Sequence, residues 1–391
     1  MLAETAEATD RTTAAIVREA YQTLVSLEQQ ASHAVDFVVN YPAVSAWLLN
    51  TATQLHRGRT AAAQPARLAN VAAAAAARAS VTATVEIPAQ SRVDGVIQLP
   101  SLGIARLPAG PARVTVSPDV VALVAGGKRV ELPRVADQVG RDWCGLHELA
   151  AEHAGLRLDL LVDGWESGWM GDVDAGWHAL DRWEIQRWRT ALSAGWRLLV
   201  SHHRVVAAEV AAVHRMLVPL RVSDATLASL TPSDAFGCVA MSLPTGPRMA
   251  ALTLAHEVQH AKLSVLLDLF PLVDCTGKQT FYAPWRPDPR PPLALLHGIY
   301  AHVGVTAFWR TQRHVEHDAI DAEVEFVRCL TATRETALVL MCSGLLTPIG
   351  AQFVTGILEV LEEWRSDTVS RKAKTAARRL AERHRARWCQ T

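Results

Sequence analysis

Residues 252–270, LTLAHEVQHAKLSVLLDLF, place His256 and His260 four apart with Glu257 beside the first. On a helix that spacing stacks both imidazoles on one face. Leu252, Leu263, Leu266 and Leu267 give the stretch the apolar content of a buried helix. Two rings turned into a core would each need a partner for a polar nitrogen, and one metal ion satisfies both. The bland alternative is a chance HExxH whose histidines bond backbone carbonyls. The chain must therefore fold around a buried, polar helix that either holds an ion or explains its histidines otherwise.

The rest of the chain sets the frame. At 391 residues it can bury a sizeable core, and size suggests two or three domains. Lys plus Arg and Asp plus Glu are equal at 39 each, so net charge gives no reason to expect nucleic acid or an anionic membrane as partner. Basic residues gather only in SRKAKTAARRLAERHRARW, 370–388, which reads as a solvated helical or frayed tail. The first 21 residues lack the basic-then-apolar layout of a secretory signal. VAAAAAARAS, 71–80, is too short and too interrupted by Arg78 to span a bilayer, and reads as a helix. The six cysteines form no CxxC pair, which argues against a thiolate zinc site or a disulfide framework and fits a reducing cytoplasm.

Texture divides the chain into three. Residues 1–80 read as a helical N-terminal region, with YPAVSAWLLNTATQLHRG opened by proline and closed by glycine. Residues 81–200 are β-rich and then Trp-rich. Short β-branched runs alternate with Pro and Gly turns over 81–133, and AGGKR between VVALV and VEL is the clearest hairpin. LRLDLLVDGWESGW adds a strand, after which Trp residues at helical spacing are expected in the core, or lining a peptide-binding groove. Residues 201–391 read as a helical, metal-binding catalytic domain. The predicted class is α+β, mainly helical, with a β-rich meander inserted in the N-terminal half and the HExxH helix in the C-terminal half.

Two histidines do not complete a site. Zinc needs a third protein ligand and an open position for water, and non-haem iron needs three ligands on one face. PPLALLHGIYAHVGVTAFW, 291–309, offers His297 and His302. They are five apart, so on a straight helix they diverge, and one of them is expected to face the ion. His302 lies deeper in an apolar stretch and is preferred, with His297 in reserve. Asp234 and Asp288 could supply a carboxylate, although loop capping or pairing with a neighbouring arginine explains them as well. The histidines of SHHR (202, 203) and HVEH (314, 317) sit among charged residues and read as solvated. FYAPWRPDPRPP holds Trp285, Arg286, Asp288 and Arg290 on a proline-stiffened strap. A held guanidinium beside a metal helix is a bidentate receptor for a carboxylate, and the same residues could equally form an internal Arg–Asp pair with Trp285 packed on the core.

DAFGCVAMSLP, LAHEVQHAKLSVLLDLFPL, YAPWRPDPRPP and LHGIYAHVGVTAFW, in this order, resemble the HExxH-type peptide β-hydroxylases of ribosomal peptide natural-product biosynthesis. The specific likeness lies in 233–309, and a weaker one reaches YPAVSAWLLNTATQLH and GVIQLPSLGIARLP upstream. The resemblance implies an Fe(II)- and 2-oxoglutarate-dependent oxygenase acting on a precursor peptide, with neither nucleic acid nor membrane as partner. It makes His256 and His260 iron ligands with His302 as the third. Arg290, and after it Arg286, would take the far carboxylate of 2-oxoglutarate. Three neutral ligands depart from the usual two-His-one-carboxylate set. Glu257 divides the readings. In a zinc metallopeptidase it is the general base on metal-bound water; in an oxygenase it orients a neighbour. A peptide-binding scaffold with a degenerate motif is the third reading.

Overall fold

The structure, a computed structural model, describes residues 11–59, 63–89, 95–133, 140–164, 180–221, 228–274, 278–315 and 320–388. Of these residues 57% are helical and 17% are in strands, the expected α+β, mainly helical class.

The chain opens with α1 (Arg11–Val39), α2 (Pro42–His56) and α3 (Leu68–Ala79). α1 buries Val17, Ala20, Leu24 and Leu27, a stripe at helical spacing, against α3. α3 is the alanine run: Ala72 to Ala76 are wholly buried, because methyl side chains let helices and strands close in from every side. Ser80 ends it in the left-handed conformation. Among the described residues no helix is long and apolar enough to cross a membrane.

The meander follows as two small antiparallel sheets. β1 (Ala83–Ile87), β4 (Ala112–Val116), β5 (Val121–Ala125) and β6 (Lys128–Glu131) form one; β2 (Val96–Leu99), β3 (Gly103–Arg106) and β7 (Trp143–Gly145) form the other. Gly126 and Gly127, both at positive φ, make the tight turn expected of AGGKR.

A third sheet was not expected. β8 (His147–His153), β9 (Leu156–Val162), β10 (Met216–Pro219), β11 (Ser229–Leu230) and β12 (Cys238–Met241) lie in the order β11-β12-β10-β9-β8, with β9, β10 and β12 parallel. This sheet separates two cores. Met216, Val218, Cys238 and Ala240 face the N-terminal helices and meander, whereas Leu217, Val239 and Met241 face the C-terminal helices. Burial on both faces is why MLVP and CVAM show no polar alternation. The boundary anticipated near residue 200 is therefore crossed by a shared sheet.

The second core is closed by α4 (Arg182–His202), α5 (Arg204–Val213), α6 (Pro247–Leu269), α7 (Pro292–Gln312), α8 (Ile320–Met341) and α9 (Pro348–Arg365), and α10 (Arg371–Trp388) lies against α8. Asp181 and Glu184 start α4 with a capping box. Within α4, Trp188 and Trp196 are core residues as expected, but Trp183 is 78% exposed; Trp165, Trp169 and Trp177 lie outside the described residues. The basic stretch forms the mostly exposed helix α10, the solvated helical alternative, and docks on α8 with only Ala373 and Ala377 buried. His203 also departs from expectation. It is buried, stacked on Phe308 at 4.4 Å, and 2.9 Å from the Gln312 amide. His202 and His314 are exposed, and His317 lies outside the described residues.

Candidate metal centre

α6 carries the HExxH motif with Pro247 in its first turn, where a missing N–H costs nothing. It is enclosed by α4, α5, α7 and β11, so Leu263 is buried and Leu252, Leu266 and Leu267 are half-buried. α7 comes close because Gly304 has no side chain: a Cβ there would lie 2.7 Å from Gln259 Cγ.

Where the two helices pass, their histidines meet. His256 and His260 bring their Nε2 atoms to 3.1 Å. The ring of His302 stands edge-on to His256 at 5.5 Å, and that of His297 lies 5.6 Å from His260. Both α7 histidines border the pocket, each beside a different member of the α6 pair. His302 Nδ1 lies 2.8 Å from the Gly298 carbonyl oxygen and donates to it, which leaves Nε2 as the lone-pair nitrogen. Burial pushes His256 and His260 down to about 4, and it pushes His297 down and His302 well down. At neutral pH all four rings are neutral, the form that binds metals.

Glu257, buried at 1% exposure, points from the same turn toward the sheet. Thr231, which follows β11, donates its hydroxyl to Glu257 Oε2 at 2.7 Å. Oε1 is buried without a hydrogen-bond partner among the described residues and lies 3.9 Å from His256 Nε2. Burial raises the carboxyl's pKa, opposed by His260 and by the hydroxyls of Ser229 and Thr231.

The four histidines and Thr231, but not Glu257, line a pocket of about 350 Å³ together with Trp285, Arg286, Arg290 and Ser264. Asp288 bridges the arginines: Arg286 Nε donates to Oδ1 and Arg290 Nη1 to Oδ2, each at 3.0 Å. Burial works to raise the Asp288 pKa, but the hydrogen bonds from Arg290 and Arg286 outweigh it and hold the carboxyl below its usual range. The internal Arg–Asp pairing of the strap is thus present, and both arginines also border the pocket. Trp285 packs against the second apolar core, as the structural reading has it, and also stacks on His302. Asp234 is exposed, accepts from the Ser233 hydroxyl and does not border the pocket.

Among the described residues, no three or more His, Cys, Asp or Glu side chains already form a group arranged to hold a metal ion. The donor chemistry nevertheless fits one. Two imidazole nitrogens bound at about 2.1 Å to one ion sit roughly 3.0–3.4 Å apart, and the His256–His260 separation of 3.1 Å falls in that interval. The same separation suits a hydrogen bond between two neutral rings. That bond would leave Glu257 Oε1 orphaned, whereas an ion, or water on it, gives this oxygen something to face. Thr231 and Gly298 border the pocket and were not singled out by sequence reasoning, which named Trp285 only as a core-packing ring. No family model and no curated protein matches the chain.

Proposed function

We propose that the protein is an Fe(II)- and 2-oxoglutarate-dependent oxygenase that hydroxylates a side-chain β-carbon in a ribosomally made precursor peptide. The observation supporting this reading is the convergence of His256, His260 and His302 with Arg286 and Arg290 on one pocket. An ion alone needs the histidines; two guanidiniums beside it suit a dicarboxylate co-substrate.

The roles follow from position. His256, His260 and His302 hold the ion as neutral donors. Arg290, the less exposed arginine, takes the far carboxylate of 2-oxoglutarate, with Arg286 beside it and Asp288 keeping both in place. Glu257 orients what faces His256. Bound Fe(II) supplies the means of activating dioxygen, and the overall exchange balances: one oxygen atom converts C–H to C–OH, and the other enters succinate as carbon dioxide leaves. Cys144, Cys238, Cys329 and Cys342 are free thiols, in keeping with work in the reducing cytoplasm.

A second reading, a zinc metallopeptidase, draws on Glu257 Oε1, which lies where a general base would accept a proton from metal-bound water. Incubating the purified chain with iron, 2-oxoglutarate and candidate ribosomal precursor peptides separates the two. The intact peptide gains one oxygen with matching succinate in the first case. In the second, zinc alone yields fragments. Neither product with any such peptide sinks both.

A further inference from the structure

Trp285 lies on the strap Phe281–Arg290, which is closed by a pair of backbone hydrogen bonds between its ends, each 2.8 Å. Prolines at 284, 287 and 289 stiffen it, and Ala283 anchors it in the core. Its indole lies nearly parallel to the His302 imidazole, with centroids 4.1 Å apart and planes 19° from parallel. That close approach is possible because residue 298 is glycine. A Cβ at Gly298 would come within 2.7 Å of both Trp285 Cζ2 and Nε1, which a stiff strap does not relieve. Gly298 contributes a second time, since its carbonyl accepts the His302 Nδ1–H at 2.8 Å.

We infer that Trp285 and Gly298 form a two-sided clamp that fixes the plane and tautomer of His302, so that its Nε2 is delivered to an ion held by His256 and His260. The inference rests on the metal-site reading above and adds a positioning residue to it. An imidazole on one turn of helix can rotate about χ2, whose wells are broad. The carbonyl bond fixes which nitrogen is the donor, and the indole face fixes the ring's tilt. Edge-on contact with His256 then limits travel on the remaining side. Neither Trp285 nor Gly298 offers a ligand atom, so their effect passes through His302. Residues that orient a metal-bound histidine in this way change affinity by roughly 10- to 100-fold when removed. The strap that carries the indole also carries Arg286 and Arg290, so the third donor and the carboxylate receptor are placed by one element.

The test measures metal binding without catalysis. Zn(II) and Co(II) affinities of the full-length chain are read by competition with a chromogenic chelator, and the Co(II) absorption spectrum reports the ligand set. W285A should weaken binding about tenfold or more and alter the Co(II) spectrum. W285F, which keeps a ring face, should stay within about threefold. G298A should resemble W285A. Thermal denaturation of each metal-free variant shows whether it is folded. If folded W285A binds both metals as the parent does, with an unchanged spectrum, the clamp is wrong and the metal site stands. If W285A does not fold, the decision passes to W285F against W285L: equal affinities for that pair also overturn the clamp. If the parent chain itself binds neither metal, the metal-site reading fails and the clamp fails with it.

Discussion

Thr231 Oγ1 reaches Glu257 Oε2 at 2.7 Å, across from a strand end to a helix 26 positions later. The bond decides which oxygen of the buried carboxylate is spent on the protein and which, Oε1, is left toward His256. T231V removes the donor and keeps the shape. Leaving a buried carboxylate short of a hydrogen bond costs about 1–3 kcal/mol, read as a lowered denaturant midpoint of the metal-free chain. T231S should recover most of it. An unchanged midpoint in T231V would mean that the bond does not form in solution.

Removing His256, His260 or His302 should reduce bound metal from about one ion per chain to near none, measured by elemental analysis after dialysis. H297A should keep its metal, because among the described residues no carbonyl fixes this ring's tautomer, as Gly298 does for His302, and the ring faces His260 tilted by 34°. Loss of metal in H297A with retention in H302A would exchange their roles.

The two helices that bring these rings together differ in how legible they were. HEVQH sits in a long stretch whose composition can only be a buried helix, and the meander is marked by β-branched runs between Pro and Gly turns. β10 and β12 are four-residue apolar runs, and such runs carry no periodicity from which to tell a doubly buried strand from a helical turn. His203 was misread because its sequence neighbours are polar, while the groups that bury it, Phe308 and Gln312, are more than a hundred positions away. The five-residue spacing of His297 and His302 says that they diverge; only the path of the facing helix shows that both can still meet a partner. Asp288 was read as a ligand or as a partner of a neighbouring arginine, and it pairs with two of them, one on either side in sequence.

Arg290 and Arg286 are expected to separate in their effect on co-substrate. R290A should raise the KM for 2-oxoglutarate by roughly 10- to 100-fold, as loss of a charge-assisted hydrogen bond of about 1.5–3 kcal/mol implies. The kcat should fall less. R286A should do less, since its side chain is 51% exposed against 32% for Arg290. R290K keeps charge but not the fork, and belongs between parent and alanine. Succinate formation against 2-oxoglutarate concentration reads all three. Unaltered KM values in both alanine variants would remove the strap from the co-substrate site.

His214 sets a pH limit on the fold that is separate from the metal. It is wholly buried at the end of α5, where the backbone of Gly237 is the polar group that acts on its ring. Burial drives its pKa from 6.5 to about 4, with the Gly237 backbone opposing. The unfolded chain thus takes up a proton near pH 6.5 while the folded chain resists until about 4, so protons favour unfolding. The stabilisation is complete above pH 6.5 and is lost as pH falls toward 4, about 2 kcal/mol for this one ring between pH 7 and pH 5. His203, also lowered to about 4 by burial and then by His202, adds in the same direction. Urea denaturation of the metal-free chain at the two pH values should show the decline. H214L, apolar and of similar volume, should flatten the decline by about 2 kcal/mol whatever it does to the absolute midpoint. An equal decline in parent and H214L would mean that the ring is hydrated or already paired in solution.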